Sequence, residues 1–128
     1  MRALKRILHV EDVPSIRIVT RIALEKLGGF EVLSCASAQA ALAEAQAFAP
    51  DLILLDVMLP EMDGIELLRQ LDKLVDLEQT PVVLLTGHLD QAQSAELGQL
   101  GVRDILQKPF DPLQLPTQLR TIWKAEHE

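Results

Sequence analysis

Apolar and polar positions alternate along this chain in two rhythms. Short, nearly unbroken apolar runs fall at 7–10, 32–36, 52–55, 82–85 and 105–106. Runs of that length, bounded by turn residues, are typical of strands buried on both faces of a parallel sheet. Between them, apolar residues recur every three or four positions, which lines one face of a helix. Ile16, Val19, Ala23 and Leu27 form one stripe, and Ala38, Ala41, Leu42, Ala45 and Phe48 a second. Leu67, Leu68, Leu71, Leu74 and Val75 make a third, and Leu115, Leu119, Ile122 and Trp123 the last. Strand and helix in regular alternation predict an α/β domain, a doubly wound five-stranded parallel sheet with helices on both faces.

The punctuation agrees. Gly28-Gly29 stops the first helix, because glycine accepts the left-handed C-terminal conformation at little cost. Pro50 and Pro81 open the third and fourth strands. The stretch 89–100 is the weakest helix, polar on most faces and holding Gly98. A helix begun at Pro112 would lose a backbone hydrogen bond at Pro116, so the last helix is expected to start at Pro116 after a turn. One domain over residues 1–128 is expected, with no repeat, linker or output domain.

Composition narrows the function classes. The net charge of −7, without a basic cluster, argues against nucleic acid as a partner. The apolar stretch near the start stops at Glu11, too short for a signal peptide or a membrane span, so a cytoplasmic protein is expected. Cys35, the single cysteine, cannot form an internal disulfide and reads as core filler.

Charge at the strand ends carries the chemistry. Glu11 and Asp12 follow the first apolar run, Asp56 closes the third, Thr86 ends the fourth and Lys108 lies just past the fifth. Open α/β sheets bind ligands at those carboxyl ends. Three carboxylates on one rim repel one another and need a cation, and an all-oxygen donor set suits a hard octahedral ion such as Mg²⁺. A carboxylate nucleophile, a metal, a lysine and a hydroxyl together suit phosphoryl transfer to Asp56. By themselves Glu11 and Asp12 would serve a helix N-terminus and Thr86 would cap a turn; the shared rim gives them a site role. His9 reads as a strand residue, His88 as a loop residue near the rim and His127 as tail.

These residues carry a resemblance. Val10-Glu11-Asp12, the run from Leu54 through Asp56 to Gly64, Leu85-Thr86-Gly87 and Gln107-Lys108-Pro109-Phe110 stand in the order of a response regulator receiver domain. The likeness spans essentially the whole chain and implies a flavodoxin-like (βα)5 fold of the stand-alone, single-domain type. It also implies that Asp56 accepts a phosphoryl group from a histidine kinase or histidine phosphotransfer protein. Asp12 and Asp56 would ligate Mg²⁺ directly, Glu11 through a water, and Met58 through its backbone carbonyl. Thr86 and Lys108 would hold the phosphoryl group, and the Lys108–Pro109 bond would be cis. The expected output is contact with a downstream effector protein, not turnover as an enzyme, by a monomer or a phosphorylation-dependent dimer.

One departure stands out. The family's switch aromatic lies three residues before the lysine, and here that residue is Ile105 in a chain without tyrosine. Ile105 motivates the competing expectation, a receiver-like interaction module that works without phosphorylation. An aspartyl-phosphate hydrolase is disfavoured, since Met58 stands where a second acid is needed two residues after the nucleophile. A dinucleotide enzyme is disfavoured too, because no glycine loop follows the first strand.

Overall fold

The computed structural model describes residues 3–56, 64–86, 100–107 and 110–127. Five parallel strands form one sheet: β1 (Arg6–Val10), β2 (Glu31–Cys35), β3 (Leu52–Asp56), β4 (Val82–Thr86) and β5 (Val102–Gln107). Their order is β2-β1-β3-β4-β5, so the chain reverses direction across the sheet between β1 and β3. That reversal opens a crevice at the carboxyl ends of β1 and β3. The described helices are α1 (Pro14–Ile22), α2 (Ala38–Phe48), α3 (Gly64–Leu71) and α4 (Leu115–His127). The expected helix over 89–100 lies, but for Leu100, outside the described residues.

Burial explains which apolar runs become inner strands. Every residue of β3 and β4 is buried, and β1 is buried from Ile7 to Val10. Side chains alternate across the pleat into two cores. Leu8, Val10, Ile53, Leu55 and Leu84 pack with α2 and α3 on one face. Ile7, Leu52, Leu54, Val83 and Leu85 pack with Leu24, Leu115, Leu119 and Trp123 on the other. The edge strand β5 is longer than its apolar run, because an edge tolerates Arg103 and Asp104. A register shift between Val82 and Val83 absorbs Arg103, pairing Val82 with Val102 and Val83 with Asp104. At the other edge, β2 gains Glu31 and ends at Cys35, leaving Ala36 in a bend. Burial, with the Glu44 carboxylate adding to it, pushes the Cys35 thiol up to about 11, as suits an inert core residue.

The helices follow their patterns with two corrections. Ser37 caps α2, its Oγ accepting from the Ala40 amide at 3.1 Å, and Ala38, Ala41 and Ala45 bring the helix close to the sheet. α4 follows a turn at 112–114 and holds Pro116 in its first turn, where a missing N–H costs nothing. The third stripe overshoots, since α3 ends at Leu71. There Lys73 and Leu74 donate to carbonyls three residues back, so Leu74 lies in a turn and Val75 in the bend that follows.

The first stripe is also displaced. Thr20, Ala23 and Leu24 are buried, whereas Val19 and Leu27 are 48% and 56% exposed. Residues 23–27 form a π-helical turn, closed by the Gly28 amide on the Ala23 carbonyl at 3.2 Å. One extra residue in that turn swings Leu27 out of line with Ala23. Ile18, Val19, Ile22 and Leu27 thus leave an apolar outer face on α1, with Leu113 beside its C-terminal end. Gly29 takes the left-handed φ of +71°, while a Cβ on Gly28 would meet the Leu24 carbonyl and the Phe30 ring at 2.7 Å. Arg120 from α4 stacks over Phe30 at 4.6 Å and donates to the Gly28 carbonyl.

At the amino ends of the strands, the Asp51 carboxylate accepts from the Lys5 and Arg6 amides at 3.1 and 2.9 Å. Arg6 in turn reaches the Phe48 carbonyl at 2.8 Å and Glu31 at 2.7 Å. Ala49, just after α2, sits at a φ of +53°. Ala49→Gly is therefore expected to raise stability by about 0.5–1 kcal/mol, measured by urea unfolding, because glycine enters that region without steric cost.

Candidate functional site

The site grows from the ends of three inner strands. The Glu11 amide donates to the Cys35 carbonyl at 3.0 Å, so the ladder carries Glu11 to the rim before the chain turns. Glu11 is fully buried, and its Oε2 accepts from the Val13 amide at 3.3 Å. Val13 stands extended at the head of α1 without a side-chain cap, and Pro14 opens the helix. The positive end of α1 therefore faces the acids that precede it.

Asp56 closes β3 opposite Leu85 and is 4% exposed. Because Val10 pairs with Leu55, the next step along both strands brings Glu11 and Asp56 to the same level. Asp12 is half-buried beside them. Carboxylate oxygens of Glu11, Asp12 and Asp56 lie within 4.8 Å of one another. Thr86, 2% exposed, closes the neighbouring β4 opposite Gln107, which immediately precedes Lys108 in the chain. Lys108, Met58, Pro109 and His88 lie outside the described residues.

This donor set fits a hard cation. All its atoms are carboxylate oxygens, held where bulk water screens poorly, so their mutual repulsion favours a divalent ion among them. Two oxygens on one magnesium ion can stand up to about 4.2 Å apart. The three acids, within 4.8 Å of one another, suit such an ion with two of them bound directly and the third through a water.

Sequence reasoning passed over Arg17. One turn into α1, its Nη1 donates to the backbone carbonyls of Glu11 at 3.1 Å and Asp12 at 3.4 Å. The trace it leaves in the sequence is a basic residue five positions after Asp12, which by itself reads as a solvated helix charge. Ile105 pairs with Leu84 on β5 and packs, half-buried, against the core shared with α2 and α3. An aliphatic side chain thus occupies that position, as read from the sequence.

Among the described residues, no helix is long and apolar enough to cross a membrane. A family model described as the response regulator receiver domain matches residues 7–120. The alkaline phosphatase synthesis transcriptional regulatory protein PhoP of Bacillus subtilis is 38% identical over 121 residues, covering 92% of this chain and 48% of PhoP. The phosphate regulon transcriptional regulatory protein PhoB of Pseudomonas aeruginosa is 36% identical over 118 residues, covering 92% of this chain and 51% of PhoB. The chain thus spans about half the length of these curated relatives. Among solved structures, a CheY-like receiver domain protein from Methanospirillum hungatei superposes with a TM-score of 0.86 at 30% identity, covering 98% of both chains. The chemotaxis response regulator CheY4 of Vibrio cholerae superposes with a TM-score of 0.83 at 31% identity, covering 94% of this chain and 99% of CheY4. With sheet order, acidic rim and sequence in agreement, the chain belongs to the response regulator receiver domain family.

Proposed function

We propose that Asp56 is the phosphoacceptor of a two-component or phosphorelay system. The donor is a phosphohistidine on a histidine kinase or histidine phosphotransfer protein. An Asp56 oxygen attacks the phosphorus, the P–N bond to the donor imidazole breaks, and the imidazole nitrogen keeps the electron pair and takes up a proton. The single observation that carries this reading is the convergence of Glu11, Asp12 and Asp56 oxygens within 4.8 Å at the sheet's switch point.

In this reading Asp12 and Asp56 would ligate Mg²⁺ directly, Glu11 would act through a water, and the Met58 carbonyl would complete the protein's share. When bound, the ion neutralises the acids and the incoming phosphoryl oxygens. Burial of Glu11 and Asp56 holds their carboxylates without the reorganisation that free side chains need. The Thr86 hydroxyl and the Lys108 ammonium take the remaining phosphoryl oxygens. The apolar outer face of α1, which begins near the acids, offers the donor protein a docking surface. The domain is not itself an enzyme with turnover, and a downstream effector protein reads its state in the cytoplasm. Its net charge of −7 weighs against nucleic acid contact by this part of the protein.

Acetyl phosphate with Mg²⁺, followed by intact-mass spectrometry, tests the assignment. Wild type is expected to gain one phosphoryl group and Asp56→Asn none. Equal labelling of both, or none of wild type, refutes it. Ile105 favours a second reading, an interaction module that keeps the fold and works without phosphorylation. Amide spectra with and without beryllofluoride separate the two. Changes beyond the pocket support switching, and changes confined to it support the module.

A further inference from the structure

We infer that Arg17 is the positioning residue of the metal centre, holding Glu11 and Asp12 in the geometry that receives the ion. The inference rests on reading Glu11, Asp12 and Asp56 as a metal site. It adds a residue whose side chain is not itself a ligand.

The sheet stops just before the acids. The β1–β2 register ends at Val10 and Cys35, and the Glu11 amide makes the last bond to β2. Glu11 and Asp12 then join the strand end to the head of α1. Arg17 Nη1 donates to both of their carbonyls, at 3.1 and 3.4 Å. Arg17 is itself anchored, because its amide donates to the Val13 carbonyl at 2.9 Å. The Val13 amide donates to Glu11 Oε2 at 3.3 Å, so the chain of contacts leaves Glu11 by its carboxylate and returns to its carbonyl. One guanidinium nitrogen shared by two successive carbonyls ties the backbone of Glu11 and Asp12 to α1, and with it the directions in which both side chains leave.

A purely electrostatic role makes the opposite prediction. A guanidinium beside a cation site repels the cation, so removing it would tighten binding. Positioning says that removing it loosens binding, and the sign of the change decides between the two.

The test compares wild type with Arg17→Gln, Arg17→Lys and Arg21→Gln. Arg21 lies one turn further along α1, where its Nε pairs with Glu25 at 3.2 Å. Mg²⁺ affinity is measured by calorimetry, and amide hydrogen exchange at residues 11–13 in ion-free protein. Arg17→Gln is expected to weaken Mg²⁺ binding about 10-fold, the usual loss when a partner behind a ligand is removed. Arg17→Lys is expected to weaken it too, since the shorter lysine stem holds its ammonium back from the place where Nη1 makes both bonds. Arg21→Gln should stay within about twofold, because an exposed charge is screened. Exchange at residues 11–13 should quicken in both Arg17 variants.

Affinity unchanged or tightened in Arg17→Gln overturns the inference. A wild type indifferent to Mg²⁺ overturns the metal reading instead. Exchange in ion-free protein then still judges Arg17, and unchanged rates reject the positioning role. Should Arg17→Gln lose its fold by circular dichroism, Arg17→Lys, which keeps the charge, decides by the same two measurements.

Discussion

In buffer stripped of divalent ions, Asp56→Asn is expected to unfold at a higher temperature than wild type. Three carboxylates whose oxygens lie within 4.8 Å of one another repel, and two of their owners are almost fully buried. One pair of unit charges at 4.8 Å repels by about 3.5 kcal/mol at an effective dielectric constant of about 20. The Arg17 guanidinium and water at half-exposed Asp12 offset part of it, leaving a gain of about 1–2 kcal/mol, or roughly 3–8 °C in Tm. Adding Mg²⁺ should shrink or reverse the difference, since a ligand for the folded state stabilises most the protein that binds it best. Calorimetric scans of both proteins, with Mg²⁺ and with a chelator, check this. A variant no more stable than wild type in chelator removes carboxylate repulsion from the account, and with it the reason the pocket needs a cation. The same substitution is expected to abolish acetyl phosphate labelling, so one residue would set both the strain and the chemistry.

Much of the fold was legible because buried parallel strands leave an unmistakable mark. The runs ending at Leu55 and Leu85 could only satisfy their backbone in a sheet covered on both sides, and they became β3 and β4. Edge strands were less legible. Nothing apolar marks Arg103 and Asp104, yet both pair in β5, since an edge residue needs a partner on one side only. The first helix misled for a different reason. Helical periodicity assumes a constant twist, and the π-helical turn at 23–27 breaks it without a Pro or an unusual residue to announce it.

The candidate site shows a similar division. Glu11, Asp12, Asp56 and Thr86 were legible because each follows or closes an apolar run, so strand order alone brings them to one rim. Arg17 was not, because its role depends on a side chain folding back over the helix start to reach two carbonyls. Sequence spacing identifies which residues share a face, but not which backbone carbonyls a long side chain folds back to reach. The Asp51 contact to the Lys5 and Arg6 amides escaped for the same reason, being a side chain that serves backbone groups 46 and 45 residues away.

Two leucine truncations are expected to differ sharply. Leu54 lies in the middle of β3, between His9 and Val83 of the flanking strands, and is fully buried against the α1 and α4 side. Leu54→Ala should cost about 3–5 kcal/mol, because it removes apolar transfer energy and leaves a cavity that two hydrogen-bonded neighbours cannot close. That is a large share of the roughly 5–15 kcal/mol holding a domain of this size. The loss falls two residues before Asp56 on the same strand face, so Mg²⁺ affinity should drop as well. Leu27→Ala should cost no more than about 0.5 kcal/mol, since the π-helical turn leaves Leu27 56% exposed. Regular periodicity predicts the contrary, a core leucine in line with Ala23. Urea unfolding of both variants decides, and a Leu27→Ala loss above about 2 kcal/mol would mean that the first helix runs on without the π turn.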